Sequence, residues 1–288
     1  MHLPTRYLAI IIHLVSISTQ ITAQRTKDIQ LLDKITKLPV PYATIKIIGK
    51  PIGTYSDDKG RFSLLLNDLD TIQITSIGYE DLVQTDRFKD TLELQPAATI
   101  LKPVTIMNKK EGIQETLGIV TSKSFEWGPS GLGEEFAQKI NIKLAENEYF
   151  RINKVTIGVS SFSEDTPTLL HIYTVDKSTG MPGKEILNKK HLLYKEFIKR
   201  KIITINLVDD SLILDDNSVF VSIEWLGFRE NKNAKTKKTL LQMTNNIQET
   251  LTYSRNFITK SRVWFQAPKV NNIVTNTIFT INVTRYRY

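Results

Sequence analysis

From residue 29 onward, apolar and polar residues succeed one another with a period of two over short runs. Each run ends in Gly, Pro, Asn or Asp, the pattern of antiparallel strands that bury one face. Runs at 43–48, 61–66, 71–76 and 91–94 predict strands in the first third of the chain. Longer ones follow at 149–158, 169–175, 202–207, 219–227, 261–266 and 277–284. A helical period shows only weakly, between residues 239 and 253. The pattern therefore predicts an all-β protein. Between two early runs stands Ser56-Asp57-Asp58-Lys59-Gly60, where Asp followed by Gly suits a tight hairpin turn. The Asp pair does not make a helix-loop-helix calcium loop. Such a loop needs alternating oxygen ligands and a Glu about six residues past the Gly, whereas Arg61-Phe62-Ser63-Leu64 continues as a strand.

The pattern breaks once. Pro96, Pro103 and Asn108-Lys109-Lys110-Glu111-Gly112 bring few large apolar residues and mark a linker. The expected organisation is a leader over residues 1–23, a first β-sandwich over 27–108, a linker over 109–118 and a second β-sandwich of jelly-roll-like type over 119–288. Pro39 and Pro41 interrupt ladder pairing ahead of the first long run, and Gly78 marks a bend that leaves the Tyr79 hydroxyl at a rim.

Four motifs in order carry a resemblance: Asp33; Leu38-Pro39-Val40-Pro41-Tyr42-Ala43-Thr44-Ile45; Gly53-Thr54-Tyr55-Ser56-Asp57-Asp58-Lys59-Gly60-Arg61-Phe62-Ser63-Leu64; and Ile74-Thr75-Ser76-Ile77-Gly78-Tyr79-Glu80. Together they resemble the carboxypeptidase-D regulatory-like domain over residues 27–108. The resemblance implies a small transthyretin-like β-sandwich without catalytic activity. It is of a kind common in exported Bacteroidetes proteins, beside metallopeptidases and at the N-termini of TonB-dependent transporters. The later segments around Tyr149, His171 and Trp225 resemble the sandwich that often follows this domain, which implies no activity.

The first residues add a compartment. One positive charge up to Arg6, an apolar run over 7–17 and a small polar stretch ending in Ile21-Thr22-Ala23 have the order of a secretory signal cut after Ala23. An uncleaved anchor or a buried first strand is the alternative. The apolar run falls well short of the ~20 residues that span a bilayer. The 288-residue chain holds no Cys, so neither a lipoprotein anchor nor a disulfide framework is expected and packing must supply the stability. A net charge of +8 would ordinarily suggest nucleic acid, but the leader points instead to periplasm, outer membrane or cell surface. There the basic stretches 184–201 and 229–238 would meet anionic glycolipid or acidic polysaccharide, if any partner.

Candidate chemistry is sparse. Past the leader only His171 and His191 remain of the four His, with no His-Glu pair at ligand spacing, so zinc catalysis is not expected. Ser130 in Gly128-Pro129-Ser130-Gly131-Leu132 lacks the second Gly of a nucleophile elbow, and the same glycines fit no phosphate loop. Asp209-Asp210 and Asp215-Asp216 are adjacent pairs that point to opposite faces, unlike the facing carboxylates of a glycosidase. Asp215 and Asp216 remain candidates for a structural calcium ion. Among the aromatics, Trp225 falls on an apolar face and belongs in the core. Trp264, alternating with Arg262 and Gln266, is the expected exposed platform for a sugar, with Trp127 next and Arg262 beside it. The sequence therefore reads as a non-catalytic exported envelope protein acting in binding or assembly, with no cofactor. The alternatives are a carbohydrate- or glycolipid-binding accessory protein and a cryptic hydrolase using Ser130 or the acidic pairs.

Overall fold

The computed structural model describes residues 25–67, 69–85, 88–97, 112–129, 131, 133–164, 167–199, 201–226, 238–256, 258, 263–267, 269 and 272–287. The leader, Ser130 and Arg262 lie outside these residues. The chain is all-β.

Residues 25–97 form two small sheets. One has the order Arg61–Leu66, Arg25–Asp33, Thr91–Leu94; the other runs Gly53–Tyr55, Thr44–Ile47, Thr71–Thr75, Leu82–Thr85. The alternation read from the sequence is the burial seen: Phe62, Leu64 and Leu66 are buried, whereas Arg61, Ser63 and Leu65 are exposed. They meet Ile29, Leu31, Ile45, Ile47, Ile72, Ile74 and Leu94 in one core. The turn at 56–60 is real but is not a hairpin. The strands on either side of it belong to different sheets, so it carries the chain across the sandwich. Asp57 Oδ1 shapes it by accepting the N–H groups of Lys59 and Arg61, each at 2.8 Å. Tyr79 OH donates to Asp33 Oδ2 at 3.0 Å, so this hydroxyl ties the small sandwich together rather than resting at a rim. Asp33 also accepts the N–H groups of Ile35 and Thr36. Hydrogen bonds from the backbone, that of Thr36 foremost, hold its carboxyl below the usual carboxylate range.

The second sandwich pairs two larger sheets. The first has the order Pro182–Glu185, Thr168–Val175, Ser218–Trp225, Glu134–Asn141, Thr252–Asn256, Phe265–Gln266. The second is organised on Glu148–Ser161, which lies between Ile202–Asn206 and Phe279–Arg287. The chain crosses between the sheets at nearly every long strand, the connectivity of a jelly-roll-like sandwich. Between the sheets lie Ile140, Leu170, Ile172, Val221, Ile223 and Trp225 against Phe150, Ile152, Val155, Ile157, Phe279 and Ile281. Trp225 is fully buried, as its alternation required, and its Nε1–H donates to the Thr239 carbonyl at 3.0 Å.

Three expectations change here. The weak helix at 239–253 is instead the strand Leu240–Thr244, a loop and the strand Thr252–Asn256, with Leu241 and Met243 buried at period two. The linker expected over 109–118 ends in a strand: Ile113–Gly118 pairs antiparallel with Phe279–Arg287 and so belongs to the second sandwich. The run at 261–266 keeps only Phe265–Gln266 as strand among its described residues. No helix among the described residues is long and apolar enough to cross a membrane.

Candidate functional site

The first sheet of the second sandwich is buried on both faces, and the face turned away from the main core carries buried charged groups beside the apolar cluster of Ala137, Phe220, Tyr253 and Trp264. In Ser218–Trp225, Val219, Val221, Ile223 and Trp225 point inward, so Ser222 and Glu224 point outward. The same parity places His171 and Tyr173, Glu135, and Tyr253 and Arg255 on that outer face from the three neighbouring strands. Pairing register puts Glu135 directly opposite Glu224 on one side and Arg255 on the other. Two carboxylates facing each other across adjacent strands destabilise a sheet unless cations intervene.

They do intervene. Arg255 Nε donates to Glu135 Oε2 at 2.6 Å, and its NH2 group donates to Tyr173 OH at 2.9 Å. Its guanidinium lies 4.3 Å from the centre of the Trp264 ring. Tyr173 OH and Ser222 Oγ both donate to Glu135 Oε1, at 2.9 and 2.6 Å. His171 bridges two acids, Nδ1 to Glu185 Oε2 at 2.7 Å and Nε2 to Glu224 Oε2 at 3.0 Å. The last Glu224 oxygen accepts Tyr55 OH from the other sandwich at 2.7 Å. Burial by itself would depress the His171 pKa, but the Glu135 charge and the hydrogen bonds to Glu185 and Glu224 outweigh it and push the pKa up to about 10. Burial likewise disfavours the Glu135 carboxylate, yet Arg255 and His171 hold its pKa below the usual range. His171 is thus an imidazolium with both N–H groups donated, a state in which it can neither ligate a metal nor act as a base.

This ionic face meets the first sandwich across a cleft of about 1110 Å³. Tyr42, Thr75, Ser76, Ile77 and Tyr79 line one wall, while His171, Glu185, Asp210, Asp215, Asp216, Glu224 and Arg255 line the floor and the opposite wall. Besides Tyr55, the sandwiches touch where Lys190 Nζ donates to the Pro41 carbonyl. Burial drives the Lys190 pKa down to about 7, against a smaller pull upward from Glu224. A third contact is at Gly78, whose φ is +84° and where an added Cβ would lie 2.6 Å from the Asn188 carbonyl oxygen of the second sandwich. Gly78→Ala should therefore lose about 1 kcal/mol from left-handed strain and more from the forced separation of the sandwiches. Gly180→Ala isolates the strain, because Gly180 has φ +72° with nothing within 4 Å. Thermal unfolding of both variants checks this; equal losses would show that Gly78 does not bring the sandwiches together.

The sequence candidates fare unevenly. Trp264 is not an exposed platform. It is only 6% exposed and packs edge-on against Tyr173 with Arg255 over its face, while Val263 and Phe265 on either side are exposed. The parity argument assumed a regular strand over the whole run, whereas Val263 and Trp264 stand outside the strand Phe265–Gln266, and inside and outside are exchanged. Trp127 is 37% exposed, in the strand Phe125–Trp127, and is not among the residues lining the cleft. Asp215 and Asp216 do line it, yet no group of three or more His, Cys, Asp or Glu side chains among the described residues comes together to hold a metal. Asp210, read as a loop end, is buried and accepts from His191 Nε2 at 2.9 Å. Sequence reasoning missed Glu135, Arg255, Tyr173 and Glu224 as a unit. The available signal was a charged residue inside an apolar run, as with Glu224 between Ile223 and Trp225.

Residues 30–108 match the family described as the CarboxypepD_reg-like domain. No curated protein matches the chain. Among solved structures, the chain is similar to the VP2 subviral particle of infectious bursal disease virus, at 9% identity and a TM-score of 0.26 over 93% of this chain and 66% of that one. It is similar also to the Gt strain of that virus, at 10% identity and a TM-score of 0.24 over 94% and 68% of the two chains. The chain spans about two thirds of the length of these viral chains. Likeness at this level bears on neither topology nor function.

Proposed function

Starting from a CarboxypepD_reg-like domain at residues 30–108, of a family without catalytic activity, we propose that the protein is a non-catalytic exported binding protein. Its ligand would be held in the cleft between the two sandwiches, in the periplasm, at the outer membrane or on the cell surface. The observation that carries this reading is the cleft itself, walled by both sandwiches and floored by charged groups already fixed by one another. Such a floor is preorganised, so a ligand meets set positions rather than ordering them on arrival. The narrower reading as a carbohydrate- or glycolipid-binding accessory protein fits the same cleft and no longer leans on Trp264. The alternative reading as a hydrolase using Ser130 or the acidic pairs gains no base from His171, whose two ring nitrogens are both hydrogen-bonded to carboxylates.

Because the chain holds no Cys, a single cysteine can be introduced and labelled cleanly. The full chain carrying Thr75→Cys with an environment-sensitive dye is titrated with bacterial and plant polysaccharides, outer-membrane glycolipid and oligolysine, while hydrolysis of peptides and glycans is followed. The expected result is a saturable dye response to one class and no turnover. Silence with every class, or turnover abolished by a point substitution, would overturn the proposal.

A further inference from the structure

The sheet built on Glu148–Ser161 has an outer face that takes no part in the cleft. Phe150, Ile152, Val155, Ile203, Ile281 and Val283 turn into the core, so the residues alternating with them turn out. Thr204, Thr156 and Thr280 share one row across three strands, and Asn206, Lys154, Asn282 and Thr116 share the next across four. Farther along, Arg151 pairs with Thr284 and Tyr149 with Tyr286. The outward positions are thus hydroxyls and amides, with Arg151 and Lys154 as the charged residues among them and no acid. A bulge fixes the arginine. Pairing with Phe279–Arg287 slips by one residue between Ile152 and Lys154, and the extra residue, Asn153, turns its amide to the outer face. Its Nδ2 donates to Asn282 Oδ1 at 3.1 Å and to Thr284 Oγ1 at 2.8 Å, and Asn282 Nδ2 donates to the Glu115 carbonyl at 3.3 Å. Asn153 Oδ1, so held, accepts Arg151 Nε at 3.2 Å. That bond orients the guanidinium by its Nε and leaves the two terminal NH2 groups, the fork that grips a carboxylate, turned to a ligand.

Among the described residues neither Arg151 nor Lys154 has an ion-pair partner. Glu115 and Glu148 are held by Arg285 and Arg287. The flanking segment, whose Ile213 pairs with Arg151, carries Asp209, Asp215 and Asp216, none of them bonded to either cation. These acids repel an anion from that flank and direct a ligand anchored on Arg151 the other way, over Asn282, Thr116 and Gln114. The face therefore selects a ligand with sparse negative charge and many neutral hydrogen-bonding groups. An apolar ligand would strip water from Arg151 and the amides without replacing it. A phosphate-dense ligand is met by clusters of basic residues, which two cations on separate rows do not make. A carboxylate takes the Arg151 fork in a bidentate pair, and hydroxyls around it meet Thr and Asn side chains that both donate and accept. Tyr149 and Tyr286, stacked at 5.2 Å with planes 19° apart, stand beside Arg151 as a rigid wall at the end of their strands.

We propose that this outer face binds an acidic polysaccharide through its uronate carboxylates, with Arg151 as the anchor and Lys154 beside it. None of Tyr149, Arg151, Lys154 and Tyr286 lines the cleft, so the site is independent of the cleft and of what the cleft holds. The test is calorimetric titration of the full chain with oligogalacturonate and with its methyl ester, the same sugar without the charge. Polyphosphate and vesicles of phosphatidylglycerol in phosphatidylcholine are titrated alongside. The expected result is saturable binding of oligogalacturonate and none of the ester. Arg151→Gln should weaken it about tenfold, the worth of one charge-assisted hydrogen-bonded contact, and Lys154→Gln about threefold. Arg151→Lys should recover only part of the loss, because an ammonium keeps the charge and not the fork. Lys59→Gln, which removes an exposed cation from the first sandwich, should change nothing. Thermal unfolding checks that each variant folds, and the exposed Lys154 carries the test should Arg151→Gln not fold. Absent oligogalacturonate binding, equal binding of the ester, or equal losses for Arg151→Gln and Lys59→Gln would overturn the proposal. So would tighter binding of polyphosphate or vesicles, which would give the face to another class of partner. Uronate binding that moves a dye on Thr75→Cys and ignores Arg151→Gln would place the sugar in the cleft and overturn it as well.

Discussion

Arg255→Ala should lower the unfolding free energy by about 3–5 kcal/mol, the range found when one partner of a buried ion pair is removed. Glu135 is fully buried and keeps only neutral donors, Tyr173 and Ser222, once the guanidinium is gone. Its charge would then stand directly across from Glu224. The Trp264 ring would lose its stacked cation as well, and with it a contact at 4.3 Å. Urea unfolding followed by tryptophan fluorescence reads the loss. The paired variant Glu135→Gln with Arg255→Met should recover most of it, because an amide can still accept from Ser222 and Tyr173 without a buried charge. A loss below about 1 kcal/mol for Arg255→Ala would mean that Glu135 carries no charge to be left behind.

Stability against pH should be nearly flat between pH 7 and 9.5, and flat for a reason that single substitutions expose. His171 titrates near 10 when folded against about 6.5 unfolded, so its contribution is complete below pH 6.5 and is lost as pH rises toward 10. Lys190 titrates near 7 when folded against about 10.5 unfolded, so the unfolded chain holds the extra proton and stability rises with pH over nearly the same interval. Each slope is about 1.4 kcal/mol per pH unit, and the signs oppose. Glu135, whose carboxyl Arg255 and His171 hold below the usual range, and Arg255, raised by the Glu135 charge against its own burial, stay charged throughout this window. Tyr55 and Tyr173 are held above 10, by burial first and by the neighbouring carboxylates next, and stay protonated. Lys190→Met should therefore lose stability steadily from pH 7 to 9.5, while His171→Gln should gain it. Urea midpoints at four pH values decide the matter; parallel profiles for the two variants would show that the pair does not cancel.

The strands were legible wherever one face met a core and the other met water. Phe62-Ser63-Leu64 and Val221-Ser222-Ile223 declare their parity in sequence, and the structure keeps it. The family resemblance over the first sandwich holds for the same reason, since its motifs are turn and core residues that a local reading can see. The cleft was not legible. The ionic cluster beneath it is assembled from Glu135, His171, Tyr173, Glu185, Ser222, Glu224 and Arg255 on five strands, and only pairing register brings them together. Trp264 failed for a different reason: alternation predicts facing only where the backbone is a regular strand, and among the described residues of that run only Phe265–Gln266 are. The acidic pairs were read as loop ends, with Asp215 and Asp216 as calcium candidates; in the structure Asp215 and Asp216 border the cleft, and adjacency in sequence hid the fact that Asp210 is the buried one.

The pairing of Ile113–Gly118 with Phe279–Arg287 joins the first strand of the second sandwich to its last. Glu148–Ser161 lies on the far side of that same last strand. Until Phe279–Arg287 is in place, the sheet lacks the piece between Ile113–Gly118 and Glu148–Ser161, and the ladders on either side of that gap are unpaired. Zippering from either end cannot fill it, because the missing piece is the most distant in sequence and its loop-closure entropy comes due before any contact rewards it. This connectivity predicts late completion of the sandwich, with the edges of Ile113–Gly118 and Glu148–Ser161 open to a second unfinished chain wherever Phe279–Arg287 is not yet in place.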